Sequence, residues 1–310
     1  MRKIYFGICN SVFFDVLNHI YFRLLFGLKR KQIQTSCQIY QELPGTRILV
    51  LAPHVDDEII GCGGAILTYL NTHREVFIAY LTESQKQGSK TDAQEIMKER
   101  REEALAVASK LGIPHKNLFF LGGKDGDLLN SDIEQALLQV LRGVRPDNIF
   151  LPILLDTHSD HYAATKKLCA AYATEPALLE DTTLFLYESQ SPITLFHANT
   201  CLRITDVFQR KLQLLALFKS QPYSFKFVSS LDKANGLFLG TGEQCETFLR
   251  IKMTQYDHFT AKHFGEDEQY LAHKENFKPI SHSASLIRSY ASSRNHKRVL
   301  CDLLARPEVR

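Results

Sequence analysis

The chain has 310 residues, of which 45% are hydrophobic and 23% charged, a composition that suits a globular protein with a sizeable core and excludes a disordered or fibrous one. A formal net charge of +3, without an aromatic-basic motif, gives no support to nucleic-acid binding. The seven cysteines are dispersed, odd in number and free of any C-x-x-C pair, which argues against a disulfide framework or a thiolate zinc site and suits a reducing compartment.

Residues 4–28 are mostly apolar and lie between Arg2-Lys3 and Lys29-Arg30-Lys31. The length would span a bilayer. Asp15, Asn18, His19 and Arg23 interrupt the run on one helical face, so the spacing predicts an amphipathic helix. No small-residue cleavage site follows, which argues against a cleaved signal peptide. Three placements stay open: a helix at a membrane surface, a helix packed on its own domain or a second subunit, and a true span.

From residue 47 a regular alternation begins. RILVLA at 47–52 reads as a strand, and the helix after it carries IIGCGGAILTYL. EVFIAYLT at 75–82 is the next strand. Thr91-x-x-Gln94 resembles a capping box opening a long helix to Leu111. LFFL at 118–121 reads as a third strand, and Ser131-x-x-Glu134 as the cap of a further helix. NIFLPI at 148–153 is a fourth strand, followed by the helix DHYAATKKLCAAYA. TLFLYES at 183–189 reads as a strand and residues 207–221 as a helix. FKFVSSL and NGLFLG are candidate strands, and the tail from about 255 reads as helical and polar.

Strand and helix alternating at this spacing predict an α/β protein, a Rossmann-like, mostly parallel sheet with helices on both faces. Ligands in such sheets sit beyond the carboxyl ends of the strands. His54-Val55-Asp56-Asp57-Glu58 occupies that place after the first strand, and LLDTHSDHYAAT at 154–165 after the fourth. The ordinary reading of the first stretch is helix capping, since acids favour a helix start. Capping does not predict that the two stretches richest in acids and histidines fall on one sheet edge. One Asp and two His meet the ligand count of a catalytic zinc, a second carboxylate can take a proton from water, and a second histidine can stabilise an oxyanion. GCGG at 61–64 lacks the dinucleotide pattern, so close helix packing explains these glycines better than phosphate binding.

These residues resemble the PIG-L/LmbE family of zinc-dependent N-deacetylases, which remove acetyl from N-acetylglucosamine-type sugars. PHVDDEIIGCGG resembles that family's first signature, with Val55 in place of its usual proline, and HSDH at 158–161 its second. Arg100-Arg101-Glu102-Glu103 with LGI at 111–113, GGKDGDL at 122–128, and RITD with Lys211 and Ser220-Gln221 add to the likeness, which covers residues 47 to about 250. The loop LTESQKQG departs from the family's usual Gly-Glu order.

By that resemblance His54, Asp57 and His161 would bind Zn2+, and Asp56 would be the general base. His158 would stabilise the oxyanion or protonate the leaving amine, with Asp160 orienting its ring. Asp125 would hold a sugar hydroxyl, and Arg100 has a possible substrate role beside the more ordinary reading of a salt bridge with Glu103. The expectation is a metal-dependent hydrolase acting on an N-acetylated amino sugar or its conjugate. The alternative is a membrane-associated metal-binding or scaffold protein of the same fold without turnover. The expected organisation is an amphipathic helix over 1–40, a deacetylase domain over 41–254 and an extension over 255–310. The expected location is cytoplasmic, with possible peripheral contact at the inner membrane face through residues 4–28.

Overall fold

The computed structural model describes residues 2–84, 93–193, 195, 197–221, 225–240, 242–274 and 278–293. Two N-terminal helices, α1 (Arg2–Cys9) and α2 (Val12–Ser36), lead into a short strand, β1 (Gln38–Tyr40). The alternating unit follows as β2 (Arg47–Ala52), α3 (Asp57–Asn71), β3 (Glu75–Thr82), α4 (Ala93–Leu111), β4 (Leu118–Gly123), α5 (Glu134–Val144), β5 (Asn148–Pro152), α6 (Ser159–Thr174) and β6 (Thr183–Tyr187). The chain continues through β7 (Thr200–Arg203), α7 (Phe208–Leu215), α8 (Lys226–Gly236), β8 (Cys245–Lys252), α9 (Met253–His263) and α10 (Asp267–Lys274), with helical backbone again at 286–293.

The eight strands form one sheet in the order β1-β7-β8-β6-β5-β2-β3-β4. Only β8 runs antiparallel to its neighbours, β6 and β7, so the mostly parallel sheet expected from the sequence is present. From β2 the chain steps outward to β3 and β4, then returns to place β5 on the other side of β2. Right-handed crossovers therefore put α3 and α4 on one face and α5 and α6 on the other. Strands covered on both faces become continuous apolar runs, and β2, β5 and β6 are buried almost throughout. Phe150 of β5 stacks on Phe185 of β6 with ring centroids 4.9 Å apart. The reversal between β2 and β5 opens a crevice at their carboxyl ends, where both acid-and-histidine stretches emerge.

Four local expectations are corrected. FKFVSSL and the start of NGLFLG lie in α8, because Phe227, Val228, Leu231 and Ala234 recur at helical spacing and bury one face. The helix expected over 207–221 stops at Leu215, and irregular backbone carries the chain on to Gln221. Ser131 does not cap α5, whose N-cap is Ile133; its hydroxyl accepts from Lys124 N and donates to Asp127 O, tying the preceding loop. Strand β8 was not legible because Glu246 and Arg250 interrupt its apolar run, while β1 and β7 have only three and four residues. The Thr91 of the expected capping box lies outside the described residues.

The irregular N-terminal half of α3 fixes the crevice floor. Cys62 breaks the helical dihedrals at φ −145°, ψ 24°. The amides of Gly64 and Ala65 instead donate to Glu246, at 2.6 and 2.9 Å. Lys211 of α7 sits 2.8 Å from the same carboxylate and 2.7 Å from Asp232, and all three side chains are buried. Burial opposes the lysine charge, but the two carboxylates outweigh it and hold Lys211 above its usual range, while burial lifts Asp232 to about 7. The glycines serve close packing: a β-carbon at Gly61 would stand 2.1 Å from the ring of Tyr187, and one at Gly64 2.5 Å from Ile204.

Lys211→Met should leave two buried carboxylates without their cation and lower stability by about 3–5 kcal/mol. Gly61→Ala should force the Tyr187 ring aside at a cost of about 1–3 kcal/mol. Urea midpoints of both variants against the parent check these values, and an unchanged midpoint would contradict the corresponding contact.

Candidate active site

The strand β2 delivers Pro53, His54 and Val55 into a tight turn before α3. Asp56 takes the N-cap position with φ 123°, a conformation that costs a non-glycine residue about 1–3 kcal/mol and needs outside support. Glu58 supplies it: its Oε2 accepts from Asp56 N at 2.9 Å and its Oε1 from the Tyr80 hydroxyl at 2.9 Å. Burial lifts this carboxyl to about 7. Val55 N donates to Ser84 Oγ at 2.9 Å, and the Val55 side chain lies in the hydrophobic core. The Asp56 carboxylate makes no capping bond, so the strained turn aims it at the crevice instead.

Asp57 is buried and collects partners from three directions. Its Oδ1 accepts from Ser189 Oγ at 2.8 Å, and its Oδ2 accepts from His54 N at 3.1 Å. The same Oδ2 faces His54 Nδ1 at 3.2 Å and His161 Nε2 at 3.3 Å. The far nitrogen of each ring faces another carboxylate: His54 Nε2 lies 3.0 Å from Asp160 and 3.3 Å from Asp125, and His161 Nδ1 lies 3.4 Å from Asp156. A ring that keeps its proton towards the outer carboxylate turns its lone pair inward. Asp57 Oδ2 lies between the two imidazoles, and a divalent cation that displaced their inner protons would meet two ring nitrogens and one carboxylate oxygen. A tetrahedral zinc with ligands about 2.1 Å away separates its donors by about 3.4 Å, so the 3.2 and 3.3 Å separations from Asp57 Oδ2 suit such an ion.

The donor atoms of His54, His158 and His161 lie within 4.8 Å of one another, as do those of His54, Asp125, His158 and Asp160. Asp160 there is already engaged by the amides of Gly126, at 2.7 Å, and Leu128, at 3.2 Å. These bonds clamp the loop after β4 onto α6 and make the carboxylate an orienting group rather than an open ligand. The electrostatics follow the packing. Burial alone would raise Asp57, but His161 and His54 outweigh it and hold the carboxyl well below its usual range. Burial and the Asp57 charge push Asp56 well above its usual value, with Arg100 opposing. Asp57 and Asp156 outweigh burial at His161 and bring it to about 10, whereas burial and the two neighbouring imidazoles draw His158 down to about 4.

All eight residues singled out in the sequence come together around this crevice, with two differences of detail. Asp160 meets His54 more closely than His158, whose Nδ1 is 3.8 Å from its carboxylate and accepts from its backbone amide at 3.3 Å. Arg100 and Glu103 form no helix salt bridge. Arg100 Nη1 reaches Val55 O at 3.2 Å and stands 3.9 Å from Asp56, while Glu103 accepts from the amide and hydroxyl of Ser220, at 2.7 and 2.6 Å. Those bonds seat Gln221, whose Nε2 donates to Asp56 Oδ2. Ser189 and Asp156 were missed although both lie in the stretches TLFLYES and LLDTHSDHYAAT; their places at strand ends beside the second acid-and-histidine stretch were the available signal. The loop LTESQKQG falls at 85–88 outside the described residues.

His54, Asp56, Asp57, Arg100, His158 and Gln221 line a cavity of about 220 Å³. Gln221 also lines a neighbouring cavity of about 650 Å³ walled by Leu212, Leu215, Phe218 and Phe225, with Lys219, Lys226 and Lys233 at its sides. The His158 side chain is 33% exposed and faces the smaller cavity, so it is accessible to a bound molecule.

Residues 49–172 match the family model PIG-L, GlcNAc-PI de-N-acetylase, in agreement with the resemblance read from the motifs. The fold is similar to that of N,N'-diacetylchitobiose deacetylase from Pyrococcus horikoshii, at a TM-score of 0.60 and 20% identity over 75% of this chain and 93% of that one. It is similar also to a conserved protein, TT1542, from Thermus thermophilus, at a TM-score of 0.54 and 27% identity over 66% of this chain and 94% of that one. GalB, the 4-carboxy-2-hydroxymuconate hydratase from Pseudomonas putida, shares the fold at a TM-score of 0.53 and 18% identity over 66% of this chain and 96% of that one. Deacetylases and a hydratase on one fold mean that the site residues, not the fold, choose the reaction.

With a divalent ion held at Asp57 and His161, Ser189→Ala and Asp156→Asn should each lower metal affinity about 10–100-fold by loosening the group they contact. Competition with a metallochromic chelator measures the change, and unaltered affinity in both would place the ion elsewhere.

Proposed function

We propose that this chain, which carries the PIG-L domain over residues 49–172, is a zinc-dependent hydrolase that removes the acetyl group from an N-acetylated amino sugar or its conjugate. The observation that carries the reading is the convergence of His54 Nδ1, Asp57 Oδ2 and His161 Nε2 beside a second carboxylate, Asp56, that serves no capping bond. These three residues would hold Zn2+, with Asp160 and Asp156 fixing the outer nitrogens of the rings. The ion supplies Lewis acidity, polarising the amide carbonyl and acidifying water in the pocket.

Asp56 accepts the proton of the attacking water. Its Oδ2 is held by Gln221 Nε2, and Arg100 stands behind it, so the carboxylate cannot swing away from the cavity. His158 faces the cavity from the other side. Because its Nδ1 accepts the Asp160 amide, the neutral ring carries its proton on Nε2, ready to donate to the tetrahedral oxyanion or to the departing nitrogen. Water adds across the amide bond, giving acetate and the free amine. Asp125, on the rim beside His54, would accept from a sugar hydroxyl in this reading. The larger cavity beyond Gln221 gives an apolar aglycone somewhere to lie. With both Asp56 and His158 in place, a fold kept only for binding is the less favoured reading.

Asp56→Asn should keep its metal and lose activity about 10²–10⁴-fold. Acetate release from N-acetylglucosamine conjugates, run beside metal analysis of the same preparation, is the measurement. Turnover at the parental rate would remove Asp56 from the role of base, and release unaffected by chelation would remove the metal from the reaction.

A further inference from the structure

The helix α2 leaves a row of apolar side chains outside the fold. Of its polar interruptions Asn18 turns inward, while Asp15 and Arg23 stay exposed. Asn18 is buried and donates to Ser283 O at 2.9 Å, and Asp15 Oδ1 accepts from Ser230 Oγ at 3.2 Å. Phe22 and Phe26 lie on the same side, 4.8 and 6.1 Å from the buried ring of Tyr290. The opposite side carries Val12, Val16, Ile20, Leu24 and Leu28, a row at four-residue spacing that is 51–84% exposed. Phe13, 68% exposed, lies beside it. An apolar row of this length on the outside of a folded domain is a surface that needs a cover.

We propose that this face of α2 docks the protein on a lipid bilayer bearing anionic headgroups, with the helix lying along the interface. Charge selects the occupant. Residues 1–36 contain six Lys or Arg and one Asp, a net +5, so a chain of net +3 is −2 over the remainder. Lys29, Arg30 and Lys31 are exposed at the end of the apolar row, where cations reach the headgroups while the row enters the acyl boundary. A second copy of the chain would be a poor cover, because pairing α2 with itself in either direction brings cationic segments together. The inner face speaks against a span, although the helix is long and apolar enough for one: crossing the bilayer would strip buried Asn18 of its partner and pull Phe22 and Phe26 from the core. The helix is about 37 Å long, enough to lie across several headgroups. Asp15 also lines the larger cavity that ends at Gln221, so the docked helix borders the approach to the active site.

The test uses the full chain and needs no turnover. Sedimentation with vesicles of phosphatidylcholine alone, and of phosphatidylcholine mixed with phosphatidylglycerol, should show binding to the anionic vesicles and at least about tenfold weaker binding to neutral ones. The double variant Ile20→Asp/Leu24→Asp should lose at least about tenfold in vesicle affinity. Its melting temperature should stay at the parental value, because both side chains point away from the domain. Lys29→Glu/Lys31→Glu should remove the anionic preference. Parental protein left in the supernatant with both vesicle types would overturn the proposal. So would a dimer in sedimentation velocity that the Ile20/Leu24 variant dissociates while vesicles go unbound, since the second copy would then be the cover.

Discussion

The site depends on one carboxylate oxygen. Asp57 Oδ2 faces His54 Nδ1 and His161 Nε2 at nearly equal distances, although the two histidines arrive from different strands and lie more than a hundred residues apart in sequence. A buried carboxylate needs balancing charge, which the two imidazolium rings, or a cation in place of their protons, can supply. The surrounding protein is arranged to hold these groups in place. Ser189 and the His54 amide fix the carboxylate, and Asp160 and Asp156 fix the rings. The crevice between β2 and β5 supplies the place, since the sheet reverses its direction of travel there.

The adjacent aspartates divide into two roles because the turn that carries them is strained. Asp57 continues into α3 and faces the histidines, while Asp56 is held at positive φ and faces the cavity. Glu58, the third acid of the run, does neither: it reaches back to the Asp56 amide and across to Tyr80. A single helix start thus contains a histidine-facing carboxylate, a cavity-facing carboxylate and a third, buried acid bonded to the Asp56 amide and Tyr80.

A second buried charge network supports the first at a distance. The break in α3 at Cys62 leaves two amides that Glu246 accepts, and Lys211 neutralises Glu246 together with Asp232. These contacts join α3, α7, α8 and β8. Beyond α7 the chain turns back over α4, where Glu103 anchors Ser220 and so presents Gln221 to Asp56. Arg100, one turn away from Glu103 on α4, approaches the same aspartate from behind. The late part of the chain therefore reaches the active site through fixed hydrogen bonds rather than through a mobile contact.

Periodicity alone determined the β2-to-β6 alternation, because strands buried on both faces must be apolar throughout and their helices must be amphipathic. The spacing of the two acid-and-histidine stretches determined that they share a sheet edge, since every parallel strand ends on the same side. Residue type determined the eight candidates, because few side chains can hold a divalent ion or move a proton. Tertiary structure alone decided how they pair. Arg100 and Glu103 have ideal helical spacing for one another, yet burial gives each a stronger partner across the fold, Asp56 and Ser220. Ser189 and Asp156 lie in stretches the sequence marks, but their contacts with Asp57 and His161 become visible only when β5 and β6 carry them to the crevice. Strand β8 hid behind Glu246, whose charge is satisfied by a lysine 35 residues earlier. The N-terminal helix showed its polar interruptions in sequence, but only packing decided that Asn18 turns inward to Ser283 while Asp15 and Arg23 stay exposed and the apolar row finds no cover in the domain.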